Sequence, residues 1–120
     1  MKIEFVVEGP LMGYKQTTKK TMFHPKNRER SKAYGQFKER VLITSIKAGL
    51  PNMGTAKKEK APKLSVMVYW KNGVRIDWKN VYGALEDAIW YEDDSYVKPG
   101  NLSGVQWDSG EEKAVVTVEI

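Results

Sequence analysis

Carboxylate side chains gather at two nearby points in the second half of the chain. Asp77 lies within residues 75–80, and Glu92, Asp93 and Asp94 follow further along. Mg²⁺ and Mn²⁺ prefer hard oxygen ligands, and such a cation can activate water for attack on a phosphodiester. The pattern therefore predicts a divalent-metal site that joins Asp77 to Asp93 and Asp94. A plainer interpretation also stands, in which Asp77 only caps a helix and residues 92–94 form a solvated turn.

The charge distribution predicts a polyanionic partner. The 120 residues carry 20 Lys and Arg against 15 Asp and Glu, for a net charge of +5. Residues 1–63 hold 15 basic and 5 acidic residues, a net +10, whereas residues 64–120 hold 5 and 10, a net −5. Such asymmetry is typical of a protein that attracts phosphates with one surface and uses another differently. Alternatively, the lysines only keep the chain soluble.

Length and composition exclude several classes of protein. A chain of 120 residues suits one domain with one core, which we expect to span residues 1–120. The sequence has no cysteine, which excludes disulfides and thiolate metal sites and fits a cytoplasmic protein. No apolar run reaches the roughly 18–20 residues of a membrane span, and the first residues lack the apolar stretch of a secretory signal. Gly9 and Gly13 do not form a nucleotide-binding loop, so we expect no membrane and no nucleotide cofactor.

Hydrophobic periodicity predicts an α+β domain in which a mixed or antiparallel sheet packs against two helices. The expected order is β-β-α-β-α-β-β. Its elements are a strand over residues 3–7, a strand near 18–23, a turn at 24–27, a helix over 31–48, a strand over 64–70, a helix over 78–89, and a closing hairpin with strands at 105–107 and 114–120. Residues 50–62 contain three lysines and two prolines, which predict a flexible basic loop.

These elements place the acidic groups at opposite ends of the second predicted helix. Asp77 would cap its start, and Asp93 and Asp94 would follow its end. A helix of about twelve residues is roughly 18 Å long, so the two groups meet only if the chain doubles back or the site is completed another way. Arg75 stands two residues before Asp77 and would point to the same side of a strand, either as a catalytic cation or as a surface ion pair.

Longer stretches of this region resemble the RusA family of Holliday junction resolvases. The resemblance lies in residues 77–88, DWKNVYGALEDA, and residues 92–97, EDDSYV. They are similar to the family pattern Asp-x-Asp-Asn-x-x-Lys, followed by an Asp-Ala pair and an Asp-Asp turn. The opening strand, the Lys- and Thr-rich residues 15–21, the long helix and the final hairpin are also similar. Membership would imply a homodimer, often encoded by a prophage, that makes paired Mg²⁺-dependent nicks in a four-way DNA junction during recombination or repair.

The resemblance also implies roles for individual residues. Asp77 would match the first motif aspartate and Asn80 the motif asparagine, while Asp94 would be the second metal ligand with Asp93 in support. Lys79 and Gly83 depart from the pattern, since the family has an aspartate and a lysine there. These two positions are neighbours on one helix face. Lys79 therefore either replaces the missing lysine beside the scissile phosphate or marks a site that has lost a ligand.

Three functions remain as expectations. The first is a RusA-type endonuclease that binds Mg²⁺, or Mn²⁺, at Asp77 and Asp94 and stabilises the scissile phosphate with Lys79 or Arg75. In this hypothesis a set of lysines contacts the DNA backbone: Lys15, Lys19, Lys20 and Lys26. The second is a junction-binding protein of the same fold that no longer cleaves. The third is a basic nucleic-acid-binding module unrelated to junctions.

Overall fold

The chain forms an α+β domain, as predicted. The computed structural model describes residues 1–13, 25–71, 78–107 and 109–120, with the backbone alone at 25–28 and 30. The elements are β1 (Lys2–Glu8), α1 (Pro25–Lys47), a 3₁₀ turn (Lys58–Lys60), β2 (Lys63–Tyr69), α2 (Trp78–Ile89), β3 (Lys98–Pro99), β4 (Gly104–Gln106) and β5 (Lys113–Glu119). The strand predicted near 18–23 lies outside the described residues.

The described strands form one mixed sheet. β5 lies between β1 and β2 and runs antiparallel to both, so that Phe5, Val116 and Val66 stand in one row across three strands. The short strands β3 and β4 both run parallel to β2 along its other edge. Alternate residues of the three long strands face the helices and are buried: Ile3, Phe5, Val7, Leu64, Val66, Val68, Ala114, Val116 and Val118. This face of the sheet and the two helices enclose the hydrophobic core.

The predicted closing hairpin is wrong. β4 pairs with β2, whereas β5 pairs with β1 and with the opposite edge of β2, so that β2 lies between the two supposed hairpin strands. The connection crosses the end of β2, where the Ser109 amide donates to the Trp70 carbonyl over 3.0 Å. A strand buried as completely as β5 gains more from two neighbours in the centre of the sheet than from one hairpin partner.

Helix α1 is longer at its start than the sequence indicates. It begins at Pro25, so the predicted turn at 24–27 is wrong for residues 25–27. Proline is well tolerated in the first turn of a helix because its missing amide would have no helical partner there. The helix ends in a Schellman arrangement, in which Gly49 has a φ of 105° and the Leu50 amide donates to the Ser45 carbonyl over 3.0 Å. Of its predicted apolar face, Ala48 is exposed.

Helix α2 begins and ends where the sequence predicts. It spans Trp78–Ile89, and its buried residues recur at helical spacing: Val81, Ala84, Leu85, Ala88 and Ile89. This amphipathic helix packs on β2 and α1.

The predicted loop at 50–62 contains the 3₁₀ turn and buries Leu50 and Ala56. Within the described residues, neither helix combines the length and apolarity that crossing a membrane requires.

Candidate functional site

The turn after α2 folds back along the helix. The amides of Glu92 and Asp93 donate to the Gly54 carbonyl over 2.8 and 3.2 Å, and the Ala56 amide donates to the Asp93 carbonyl over 2.8 Å. Gly54 has a φ of 66°, a conformation that glycine adopts without a steric penalty. These bonds hold residues 92–94 against residues 54–56 and direct the chain back along α2.

This reversal brings the Asp94 carboxyl to the Glu86 carboxyl. Glu86 lies one turn before the end of α2 and is half-buried, as is Asp94. Burial, the charge of Asp94, a hydrogen bond between the two carboxyls and the charge of Asp87 together raise the pKa of Glu86 to about 7. The Glu86 and Asp94 carboxyls therefore lie within hydrogen-bond reach of each other beside the last turns of α2.

The other acidic residues of the turn have different partners. Asp93 Oδ1 accepts hydrogen bonds from both the amide and the hydroxyl of Ser95, and these bonds lower the pKa of this exposed carboxyl. Glu92 Oε2 accepts a hydrogen bond of 3.1 Å from the Thr55 hydroxyl. The turn therefore directs Asp94, and not its two neighbours, toward α2.

Asp87, the residue after Glu86, joins the two helices. Its Oδ2 lies 3.1 Å from Lys38 Nζ and accepts a 3.3 Å hydrogen bond from the Tyr34 hydroxyl, both on α1. These contacts link α1 to α2.

The surface of α2 between Lys79 and Glu86 forms a single stripe. Gly83 is four residues after Lys79 and Glu86 is seven residues after it, so all three lie on one helix face. The axial rise from Lys79 to Glu86 is about 10 Å. Lys79 is exposed, and Gly83 adds no side chain between the cation and the carboxyl pair. Along this face a positive group, a glycine and an acidic pair therefore follow one another.

Tyr82 borders this stripe. Its hydroxyl donates to the Leu64 carbonyl over 3.1 Å, which fixes the ring against β2. Burial, with a smaller contribution from the charge of Glu86, raises the pKa of Tyr82 to about 12. The phenol therefore stays protonated at neutral pH and keeps this bond.

Only part of the predicted site falls within the described residues. Asp94, Asp93 and Lys79 are described, and the structure brings Asp94 to α2. Lys26 is the second residue of α1, and its side chain lies outside the description. The remaining predicted site residues also lie outside the described residues: Asp77, Arg75, Lys15, Lys19 and Lys20.

Sequence reasoning missed Glu86. The helical spacing of Lys79, Gly83 and Glu86 carried a signal, because these positions share one face. That signal was insufficient, since an acidic residue on a partly exposed helix surface is ordinary. The fold-back of residues 92–94 is what distinguishes Glu86 from Asp87.

The carboxyls of Glu86 and Asp94 are candidate ligands for a divalent cation. Mg²⁺ commonly takes one or two protein carboxylates and completes its octahedron with waters and substrate phosphate oxygens. Glu86 and Asp94 supply two such carboxyls. Within the described parts of the chain, no group of three or more histidine or acidic side chains is placed to hold a metal ion. Two carboxyls alone would leave most of the ligand positions around such a cation to other groups.

No protein-family model matches the chain, and no curated protein is significantly similar to it. The RusA resemblance therefore stays a prediction that rests on the motif residues.

We expect the raised pKa of Glu86 to make folding stability depend on pH. The folded chain holds this proton more tightly than the unfolded chain, whose Glu86 has the ordinary pKa of 4.5. The free energy of unfolding should therefore fall as pH rises from about 5 to about 7.5, by about 1–2 kcal/mol after allowance for solvent screening of a half-buried group. Urea unfolding at a series of pH values measures this fall.

Glu86→Gln is the decisive variant for this prediction because it removes the titrating group and keeps the shape. Its unfolding free energy should be nearly constant over the same range and should exceed that of the wild type at pH 8. Glu59→Gln, at an exposed position in the 3₁₀ turn, is the matched control and should follow the wild type. Identical pH profiles for Glu86→Gln and the wild type would contradict the assignment.

Proposed function

We propose that this protein is a metal-dependent endonuclease of the RusA type that cuts branched DNA, with the four-way junction as its principal substrate. The observation that carries the proposal is the Glu86–Asp94 carboxyl pair, assembled on the same face of α2 as Lys79. The motif resemblance at residues 77–88 and 92–97 supports the choice of DNA junctions. The alternative of a solvated acidic turn accounts for Glu92 and Asp93 but not for the fold-back of Asp94 onto Glu86.

Each part of the site has a chemical role in this proposal. Glu86 and Asp94 would hold Mg²⁺ or Mn²⁺, with Asp77 as a further predicted ligand and Asp93 in support. A cation held there lowers the pKa of bound water and neutralises charge on a phosphodiester. Lys79, with Arg75, would stabilise the added negative charge on the scissile phosphate.

This arrangement would explain why a glycine stands at position 83, inside helix α2. Glycine costs a helix interior about 1 kcal/mol relative to alanine, so its presence in α2 is unfavourable for folding alone. A residue without a side chain between Lys79 and Glu86 lets a sugar-phosphate backbone approach the helix closely. In this proposal Gly83 makes the helix less stable but leaves space for the substrate.

The substrate class follows from charge and symmetry. Residues 1–63 carry a net charge of +10, which favours a polyanion. Their predicted DNA-contacting residues are Lys15, Lys19, Lys20 and Lys26. A four-way junction has approximate two-fold symmetry, and cutting two opposed strands requires two sites, which a homodimer provides. Such an enzyme would act in the cytoplasm on DNA recombination or repair intermediates.

A cleavage assay with synthetic DNA tests the proposal. We expect the protein with Mg²⁺ or Mn²⁺ to place paired nicks in opposed strands of a four-way junction and to leave a linear duplex of the same sequence uncut. Chelation of the metal with EDTA should stop cleavage. Denaturing gels with each strand labelled in turn locate the nicks.

Lys79 and Gly83 favour one competing function, a junction-binding protein that does not cut. Tight, junction-selective binding without nicks at any concentration of Mg²⁺ or Mn²⁺ would establish that function and refute the endonuclease. Equal affinity for junction and duplex in moderate salt would refute both and leave a general nucleic-acid-binding module, because phosphate attraction alone does not distinguish DNA shapes.

A further inference from the structure

A cavity of about 340 Å³ lies beside the first two turns of α2. Trp78, Lys79 and Tyr82 line it from the helix, and Gly100, Asn101 and Ser103 line it from the loop between β3 and β4. Its volume is within the range of small-molecule pockets, roughly 300–1,000 Å³. The residue that follows Trp78 at its rim, Lys79, belongs to the same stripe as Glu86.

The aromatic wall of this cavity is rigid. The rings of Trp78 and Tyr82 meet edge to face, with centroids 6.5 Å apart and planes at 86°. The bond from the Tyr82 hydroxyl to the Leu64 carbonyl fixes Tyr82, and Trp78 packs against the core while remaining partly exposed. The Ser103 hydroxyl accepts a 3.1 Å hydrogen bond from the Val66 amide, which fixes the opposite wall. The walls are therefore formed before any ligand arrives.

The chemistry of the lining suits a flat, polar heterocycle attached to a phosphate. Tryptophan and tyrosine rings provide stacking and edge contacts for an unpaired base. The lining is mostly apolar, and the Asn101 side chain provides a donor and an acceptor for the edge of such a ring. Lys79 at the rim adds positive charge along the path of the strand between the cavity and the scissile phosphate.

We propose that this cavity accepts a single unstacked nucleobase of the DNA strand that lies along α2, an inference that rests on the proposed function. Lys79 lines the cavity and is about 10 Å along the helix axis from Glu86. That distance corresponds to about three steps of 3.4 Å along one strand. The base would therefore come from a nucleotide two or three positions from the scissile phosphate, at the branch point, where bases are least firmly stacked. Capture of this base would set the register of the cut.

A double-mutant cycle, with one change in the protein and one in the DNA, tests the inference. The probe is a four-way junction in EDTA, so that no strand is cut, with single abasic sites placed in turn near the branch point. Base stacking on an aromatic residue is worth enough that we expect Trp78→Leu, or one particular abasic site, to weaken binding about tenfold. The two changes together should also weaken binding about tenfold, since they remove the same contact.

Two further variants isolate the cavity. Asn101→Leu fills the rim at an exposed position without altering Trp78. This variant should also bind the intact junction about tenfold more weakly, and the same abasic site should not weaken its binding further. Trp107→Leu is the control, because Trp107 is exposed and does not line the cavity. It should bind the intact junction and the abasic junction as the wild type does. Thermal melting verifies that each variant is folded.

The outcomes separate the inference from the proposed function. If Trp78→Leu and the abasic site together weaken binding about a hundredfold, their effects are additive and the cavity proposal is overturned. Wild-type affinity of both Trp78→Leu and Asn101→Leu for the junction would overturn it as well. In either case junction-selective binding would leave the proposed function standing. A wild type that does not prefer the junction over duplex would overturn both.

Discussion

Asp94→Asn should abolish metal-dependent cleavage of a four-way junction, with a loss of at least about a hundredfold in rate. The change keeps the shape of the side chain but removes a negative charge from the pair with Glu86. One remaining carboxyl binds a divalent cation much more weakly, because fewer charged oxygens offset the cation's loss of hydration. Cleavage under single-turnover conditions measures the loss.

A second measurement separates metal binding from cleavage. Saturating Mg²⁺ should raise the melting temperature of the wild type by linkage, since the ion binds only the folded pair. Asp94→Asn should show little or no such rise, while its affinity for the junction in EDTA should stay close to that of the wild type. Loss of cleavage with an unchanged response to Mg²⁺ would contradict a ligand role for Asp94.

Asp93→Asn is the matched control within the same turn. Its carboxylate is exposed and accepts two hydrogen bonds from Ser95. We expect this variant to keep most of the cleavage activity and the full response to Mg²⁺. A loss equal to that of Asp94→Asn would mean that both aspartates bind the cation, as the family resemblance allows.

Lys79→Gln should lower the cleavage rate by about ten- to a hundredfold while leaving the Mg²⁺ response of the melting temperature intact. Glutamine keeps the polarity and most of the length of the side chain but removes the positive charge that would face the developing negative charge on the phosphate. Lys79→Arg should retain most of the activity, because the cation is preserved. Single-turnover rates at saturating enzyme report on the chemical step rather than on binding.

The opposite change tests the alternative that Lys79 marks a lost site. Lys79→Asp combined with Gly83→Lys restores the two residues of the family pattern. If Lys79 has the role proposed here, this double variant gains nothing or loses activity. A large gain in cleavage over the wild type would show that the departures are losses, and the junction-binding alternative would then describe the natural protein.

The bounds of α2 and its buried face are determined by local sequence. Val81, Ala84, Leu85, Ala88 and Ile89 recur at spacings of three and four, and only a helix places such residues on one side. The alternation of Leu64, Val66 and Val68 determined β2 in the same way. These predictions succeeded because each depends on the period of one segment and on nothing distant.

The arrangement of the last strands could not be derived from local pattern. Gly104–Gln106 and Lys113–Glu119 are close in sequence with turn residues between them, which favours a hairpin. The structure places β2 between them because β5 is apolar enough to occupy the centre of the sheet. Competition among strands for a partner is a property of the whole fold. The turn-forming residues at 109–110 therefore favoured a hairpin that the fold does not contain.

The sequence by itself determined that the protein is an α+β domain, that its first half is strongly basic and that acidic residues follow an amphipathic helix. Only the tertiary structure selected Asp94 over Asp93 and Glu92 and gave it Glu86 as a partner, because that contact depends on backbone hydrogen bonds from residues 92–93 to Gly54, far away in sequence. The cavity beside Trp78 likewise exists only where α2 meets the loop between β3 and β4. Composition and periodicity are local properties, whereas a site is made of side chains that distant segments bring together.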